Sequence, residues 1–242
     1  MITIGTRKLP VTSLVYIKGL TGSEIVDESP TRGTLTLTNA AMSSGITPLF
    51  GGTTSPRVET DTGKISYTSK RRTGSYNTPF TVEMFISPVS DITTANSGCV
   101  FCAETTANTN MANGDWMFAF YLGALRFQTW TGSTSNCYRI NLNSGNYSLD
   151  AGVWYHMFIQ VNSDGTHTCG LASLADGSTG TAINGTPTTL SQGSTLIGYG
   201  IGPASGGWGG GIGFYFQGYR VTDGIARYPT SGTYKIPTFP GM

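Results

Sequence analysis

The residues that could do chemistry are few, and their spacing suits recognition better than catalysis. Glu59 and Asp61 stand two apart, so an extended segment would put both carboxylates on one side of a strand. Retaining glycoside hydrolysis needs two carboxyl groups about 5–5.5 Å apart across the sugar bond. The next charged position, three residues on, is Lys64 and not a further acid. These carboxylates therefore read as structural or solvent-exposed. His156 and His167 are the two histidines, and neither has a paired nucleophile from which to build a Ser-His-Asp arrangement. His156 reads as a core histidine held by packing or hydrogen bonds. Calcium takes several oxygen ligands, commonly with two or more carboxylates. Asp115 beside Asn113 and Asp164 beside Asn162 supply one carboxylate each. The expectation is of no metal and no cofactor, with calcium as the one ion such turns could take.

The cysteines are Cys99, Cys102, Cys137 and Cys169. Cys99 and Cys102 make a lone CxxC with no second pair to complete a zinc site. In a regular strand an offset of three puts the two on opposite faces, against chelation and against a local disulfide. They read as reduced, buried thiols. Lys70, Arg71 and Arg72, near Lys64, form a short basic cluster that reads as a solvated turn and not as a phosphate site.

Aromatic residues are the better binding candidates. Trp208 lies among Gly206, Gly207, Gly209, Gly210 and Gly211, so it has few sequence neighbours to bury it. Aromatic faces stack on sugar rings, and tryptophan is a common interface anchor. Trp130, near a hairpin end, and Tyr121 are further ligand or interface candidates; for a loop tryptophan the alternative is a ring folded back over the core. Residues 1–12 read as an N-terminal arm, in which Ile2, Thr3 and Ile4 precede Arg7 and Lys8. Such an arm adds a strand to a partner or is clamped by one.

The elements that must position these groups are strands. No long stretch repeats apolar residues at helical spacing. Thr34–Thr38 alternates, with Leu35 and Leu37 on one face. Phe80–Ile86 alternates with Phe80, Val82, Met84 and Ile86 one way, and Thr81 and Glu83 the other. Trp116, Phe118 and Phe120 alternate before Leu125 and Phe127, so residues 115–130 read as a hairpin. Val153–Val161 is apolar on one face and mixed on the other (Trp154, His156, Phe158, Gln160), as in a central strand covered on both sides. Leu196–Tyr199 and Ile212–Val221 are the last clear strands, and Gly198–Gly213 reads as a long loop within the domain. Asn113-Gly114, Asp164-Gly165, Asp176-Gly177, Asn184-Gly185 and Asp223-Gly224 punctuate the chain as turns. Many short strands with regular turns make a sandwich or barrel.

The bulk properties agree. A chain of 242 residues is long enough for one large all-β domain. Only 11% of residues are charged, against about 25% in an average soluble domain, so the surface is neutral and polar. Net charge is +1, which gives no global field for nucleic acid. Residues 1–79 hold nine Lys/Arg and five Asp/Glu, a balance of +4, and residues 80–242 hold five and eight, a balance of −3. No apolar run approaches the ~20 residues of a membrane span, and MITIGTRKLPVTS lacks the apolar core of a signal peptide. The expectation is of synthesis in a cytosol without membrane insertion.

Several segments in order resemble the laminin G-like, concanavalin A-like jelly-roll modules of bacteriophage structural proteins. Ser13-Leu14-Val15-Tyr16, followed by Asp27-Glu28-Ser29, resembles the family's first strand and turn. Pro79–Pro88 (PFTVEMFISP) resembles its FTIEFWV-P strand, Trp154-Tyr155-His156 its W-x-H strand, and Thr195-Leu196-Ile197-Gly198 its ITIG strand. Phe216–Tyr228 (FQGYRVTDGIARY) resembles its closing F-G-x-x-x-x-R-x-T-x-G-V-A-R-Y segment and is the most specific match. The acidic pair usual after the closing F-G is replaced here by Tyr219-Arg220, and the Trp208 loop is unusually glycine-rich. The resemblance implies a two-sheet antiparallel β-sandwich of concanavalin A/laminin G-like jelly-roll type over residues 13–242, behind the arm at 1–12. It also implies a protein made in the host cytoplasm and displayed on the virion surface, as a capsid decoration (cement) protein or a tail or fibre component. Its partners would be other virion proteins and copies of itself, with no nucleic acid. The alternative on the same fold is a carbohydrate-binding adhesin that recognises host surface glycans. A glycan-degrading enzyme would need a carboxylate pair in a cleft, and a binding protein is expected instead.

Overall fold

A computed structural model describes residues 13–17, 25, 28–29, 34–58, 63–67, 78–93, 98–104, 116–121, 124–133, 136–141, 148–184, 198–201 and 212–238. Every element among them is a strand: β1 (Ser13–Ile17), β2 (Thr36–Thr38), β3 (Ala40–Ser43), β4 (Ser55–Val58), β5 (Lys64–Tyr67), β6 (Phe80–Pro88), β7 (Gly98–Glu104), β8 (Trp116–Tyr121), β9 (Ala124–Ser133), β10 (Asn136–Asn141), β11 (Tyr155–Val161), β12 (His167–Ser173), β13 (Thr179–Asn184), β14 (Gly198–Ile201), β15 (Phe214–Asp223) and β16 (Gly232–Lys235). They form a nine-stranded sheet in the order β16-β13-β12-β11-β6-β15-β4-β3, with β1 also on β15, and a seven-stranded sheet in the order β10-β9-β8-β7-β14-β5-β2. Ladders are antiparallel in both sheets. Ile65 and Phe120 of the smaller sheet share one core with Phe80, Val82, Met84, Ile86, Met157, Ile159, Phe214 and Phe216 of the larger. The protein is thus an antiparallel β-sandwich, as the alternating strands and turn spacing predict.

The central strands of the larger sheet are buried on both faces. All nine residues of β6 and all seven of β11 are buried. One face meets the other sheet. The opposite, outer face is sealed by two pieces of the chain. The segment between β3 and β4 folds over one half: Leu49 and Phe50 donate their backbone N–H groups to Gln217 Oε1 (2.9 and 3.3 Å), and Trp154 Nε1 donates to the Thr47 carbonyl (3.1 Å). Phe50 meets Phe85 edge-on, with ring centroids 4.8 Å apart. A strap of residues 224–231, which runs into the edge strand β16, covers the other half. The Gln160 amide binds both backbone groups of Tyr228, donating to its carbonyl and accepting from its N–H (2.8 and 2.9 Å). Thr81 Oγ1 donates to the Ile225 carbonyl and accepts from Arg227 N–H. Tyr228 stacks on Phe158 at 4.0 Å, and Tyr234 meets the same ring edge-on at 5.0 Å. Gly170 makes room for these rings, since a Cβ there would lie 2.3 Å from Phe158 and 3.0 Å from Tyr234.

Under the strap lies a buried ion cluster. Glu83, 3% exposed, accepts from Arg220 Nε at 2.8 Å, and Arg220 Nη2 lies 2.6 Å from the same oxygen. Arg227 Nε is 3.0 Å away, and the Tyr228 hydroxyl donates to the second carboxylate oxygen. His156 sits between Tyr228 and Tyr234, with each ring nitrogen 3.2 Å from a phenol oxygen. Burial alone would push the Glu83 carboxyl up. Arg220 foremost, then the His156 hydrogen bond and Arg227, override it and hold the group well below the usual carboxylate range. A bulge at Gly218 (φ 66°) sets this register. Gln217 pairs with Phe85 and Arg220 with Glu83, so the extra residue turns Tyr219 into the core and Arg220 onto the outer face. The closing segment that carries the family resemblance is therefore the strap and its ion cluster, and His156 is a buried, hydrogen-bonded core residue, as expected.

Two expectations are corrected, and one strand is shorter than its alternation. β2 takes three residues (Thr36–Thr38) of the alternating Thr34–Thr38 at the sheet edge, with Leu37 43% exposed and Leu35 packed against the core. Gly198–Ile201, the first four residues of the stretch expected as a loop, is strand β14, paired with both β5 and β7. β7 shifts register between Cys99 and Phe101, and Cys99 and Cys102 fall opposite Ala119 and Met117, two positions of one parity. Cys169 is a free, buried thiol, as the absence of a paired motif implies.

Two tests follow. Glu83→Gln leaves two guanidinium groups facing a neutral amide and should cost about 3–5 kcal/mol of unfolding free energy in denaturant titrations. Burial lowers the His156 pKa, and lowers that of His167 to about 4. The unfolded chain therefore takes up protons first as pH falls below about 6.5. The stability owed to neutral His167 is complete above that pH and is lost toward pH 4, a change on the order of 3 kcal/mol. Glu83 adds a further loss below about pH 4.5, where the unfolded carboxylate protonates first. Unfolding midpoints measured from pH 7.5 to 4.5 should fall, and His167→Gln should flatten the upper part of that curve.

Candidate functional site

With the outer face of the larger sheet sealed and the inner face packed, the described surface is open at one end of that sheet. There β11, β12 and β13 border a groove of about 450 Å³. Its polar groups come from three separate places. Asp150 is carried by the turn before β11, Tyr155 begins β11, Asp176 sits in the β12–β13 turn, and Thr179 and Thr181 belong to β13. Leu171 and Val153 add partly buried apolar surface. The local backbone is firmly built. Ile92 and Leu149 exchange backbone hydrogen bonds (2.8 and 3.0 Å), Gly152 N–H donates to the Pro88 carbonyl, and Ala151 N–H donates to Asp91 Oδ1 at 2.8 Å. Gly152 and Gly177 take positive φ (76° and 127°), which bends the two acidic turns back toward the sheet.

Tyr155 is the pivot of the groove. It is 6% exposed, and its phenol oxygen accepts from Asp150 N–H at 2.9 Å. Its own O–H has no acceptor among the described residues. Burial raises its pKa, the Asp150 N–H hydrogen bond works the other way, and the charges of Asp150, Asp176 and Asp91 add to the rise. The lining therefore offers a phenol donor, two carboxylates and threonine hydroxyls beside a small apolar surface. That mixture suits a polyhydroxylated ligand, whose hydroxyls need both donors and acceptors and whose C–H faces need apolar contact.

The residues singled out in the sequence fall elsewhere. Trp208, the arm residues Ile2, Ile4, Arg7 and Lys8, the acids Glu59 and Asp61, the basic cluster Lys70–Arg72, and Asp115 with Asn113 lie outside the described residues. Trp130 and Tyr121 are described in backbone pairing, opposite Cys137 and Ala124 in the smaller sheet, which is a different sheet from the groove. Asp164 is committed to a turn: its Oδ1 accepts from Thr166 N–H and Oγ1 (2.9 and 2.7 Å). The Asn162 amide oxygen accepts from Gln160, and its nitrogen donates to Thr166 and Thr168. Those oxygens already face donors, so the pair fits a hairpin lock better than a cation cradle. Among the described residues no three His, Cys, Asp or Glu side chains are grouped to hold a metal.

The groove residues were not legible as a site. Asp176-Gly177 reads as a turn, and Tyr155 reads as one position of a core-facing alternation. The available signal was acidic turns at the ends of strands, but no spacing rule joins residues from the β11 and β12–β13 turns until the sheet is assembled.

No protein-family model matches the sequence, and no curated protein matches it. Solved structures do match in fold. The binding domain of Paraclostridial Mosquitocidal Protein 1 superposes with a TM-score of 0.61 at 12% identity, covering 89% of this chain and 50% of that one. A botulinum neurotoxin type C structure, described as depending on two ganglioside molecules for cell entry, gives 0.59 at 10% identity over 87% and 47%. The botulinum neurotoxin serotype G binding domain gives 0.60 at 8% identity over 86% and 47%. The chain spans about half the length of these structures, and at such identity the likeness is one of fold. These neighbours are binding domains and not catalytic ones.

Tyr155→Phe should keep the ring in the core and remove the acceptor of Asp150 N–H. It should cost about 1 kcal/mol in denaturant unfolding. Asp176→Asn, on an exposed turn, should stay within about 0.5 kcal/mol of the parent.

Proposed function

We propose that this protein is a non-catalytic recognition domain that binds carbohydrate in the groove around Tyr155. The observation that carries this reading is the groove itself, a polar hollow with a buried phenol whose O–H has no acceptor among the described residues, flanked by Asp150, Asp176 and threonine hydroxyls. The fold shared with toxin binding domains supports it, one of them described as requiring gangliosides. The described carboxylate on the central strands, Glu83, is buried beneath two arginines and has no route to a substrate.

The setting of such a domain is a bacteriophage particle on the second reading. There it would be a virion surface component whose partners are neighbouring virion proteins and copies of itself. That reading is supported by the closing segment Phe216–Tyr228, which builds the strap and its ion cluster. The two readings are compatible, since a surface component can also recognise host glycans.

The deciding experiment is a glycan array with the full chain, followed by calorimetry on the best hit. Selective retention is expected, and Asp150→Ala should weaken it about tenfold or more, as for loss of a hydrogen bond to a charged group. A folded chain that retains no glycan would overturn the carbohydrate reading. Rebinding to stripped particles, lost when residues 1–12 are removed, would support the virion setting.

A further inference from the structure

The carbohydrate reading leaves the class of sugar open, and the charges of the groove narrow it. Asp150 and Asp176 line it, and neither carboxylate makes a hydrogen bond or ion pair to a described residue. Asp91 stands just behind, with Oδ1 held by Ala151 N–H, and its charge also reaches Tyr155. No Lys or Arg is among the described lining residues. The neighbouring cation is Lys235 on β16, exposed and across the ladder from Thr179, one strand beyond the groove. Among the described residues the lining is thus electronegative, with Lys235 as the cation on the adjoining strand.

Tyr155 presents a buried hydroxyl whose oxygen accepts from Asp150 N–H and whose proton meets no acceptor among the described residues. That proton makes it a donor, suited to an acceptor such as a sugar ring or hydroxyl oxygen. The two carboxylates can only accept, so they require donors. One ligand class meets both demands best: a sugar with neutral oxygens to receive the phenol proton and an ammonium to face the carboxylates.

We infer, resting on the carbohydrate reading, that the groove prefers amine-bearing sugars such as unacetylated hexosamines and disfavours sialylated, anionic glycans. A carboxylate-bearing sugar would bring like charge beside Asp150 and Asp176. An ammonium gains two solvent-exposed ion pairs, together worth up to about tenfold in affinity at low salt.

The test is calorimetric titration of the full chain with three probes: a glucosamine oligomer, the N-acetylated oligomer of the same length, and sialyl-lactose. The glucosamine oligomer should bind about tenfold tighter than its acetylated counterpart at low ionic strength, and sialyl-lactose should bind weakest. Added salt should compress the difference. Asp150→Asn with Asp176→Asn should bring the first two probes level while leaving the unfolding midpoint near the parent's. Tightest binding of sialyl-lactose, or an order unmoved by the double variant, overturns the charge preference and leaves the carbohydrate reading standing. Failure of all three probes to bind a folded chain overturns both.

Discussion

The structure depends on one carboxylate. Glu83 lies in the middle of the larger sheet, on the face that has no second sheet to cover it. An ionised group there is costly to bury unless paired and hydrogen-bonded. Arg220 comes from the neighbouring strand, Arg227 and Tyr228 from the strap, and His156 from the strand on the other side. Each partner is therefore also a constraint. The Gly218 bulge fixes the register that sets Arg220 opposite Glu83, and the strap cannot lift without exposing Phe158 and stranding the charge.

Sealing the outer face has a consequence for function. The sandwich is covered on that face by its own chain and packed on the other against the smaller sheet. The larger sheet then offers a ligand its β12–β13 end, where the hairpin turn and the Asp150 turn stand apart and leave a groove. Rigid backbone on both sides, held by the Ile92–Leu149 bridge and the Asp91 cap, keeps the Tyr155 phenol in place before any ligand arrives. A preorganised site of this kind binds with less loss of freedom than one assembled from mobile loops.

Much of the fold was legible in the chain. The alternation of Phe80–Ile86 and Val153–Val161 gave two strands, and for Val153–Val161 also its coverage on both sides, because period-two burial is a local property of extended backbone. The glycine-marked turns at Asp164-Gly165, Asp176-Gly177 and Asp223-Gly224 were legible for the same reason. Bulges were not. At Val100 one extra residue shifts the register with no neighbouring residue type to announce it; at Gly218 the glycine within the strand was the one signal, and alternation alone does not use it. Alternation also says which residues share a face and not whether that face is covered, and Leu37 is exposed.

What the sequence determined alone is the class of the molecule: strands, turns, a neutral polar surface, and a histidine and a glutamate on the mixed faces of central strands. Those follow from spacing within a few residues. What only the tertiary structure decided is which charges meet and where the surface stays open. Glu83 and Arg220 are 137 residues apart in the chain, and Asp150, Tyr155 and Thr181 belong to different strands and turns. Their juxtaposition is set by strand order and register. These are settled by burying a shared core, a non-local quantity that no window of the sequence contains.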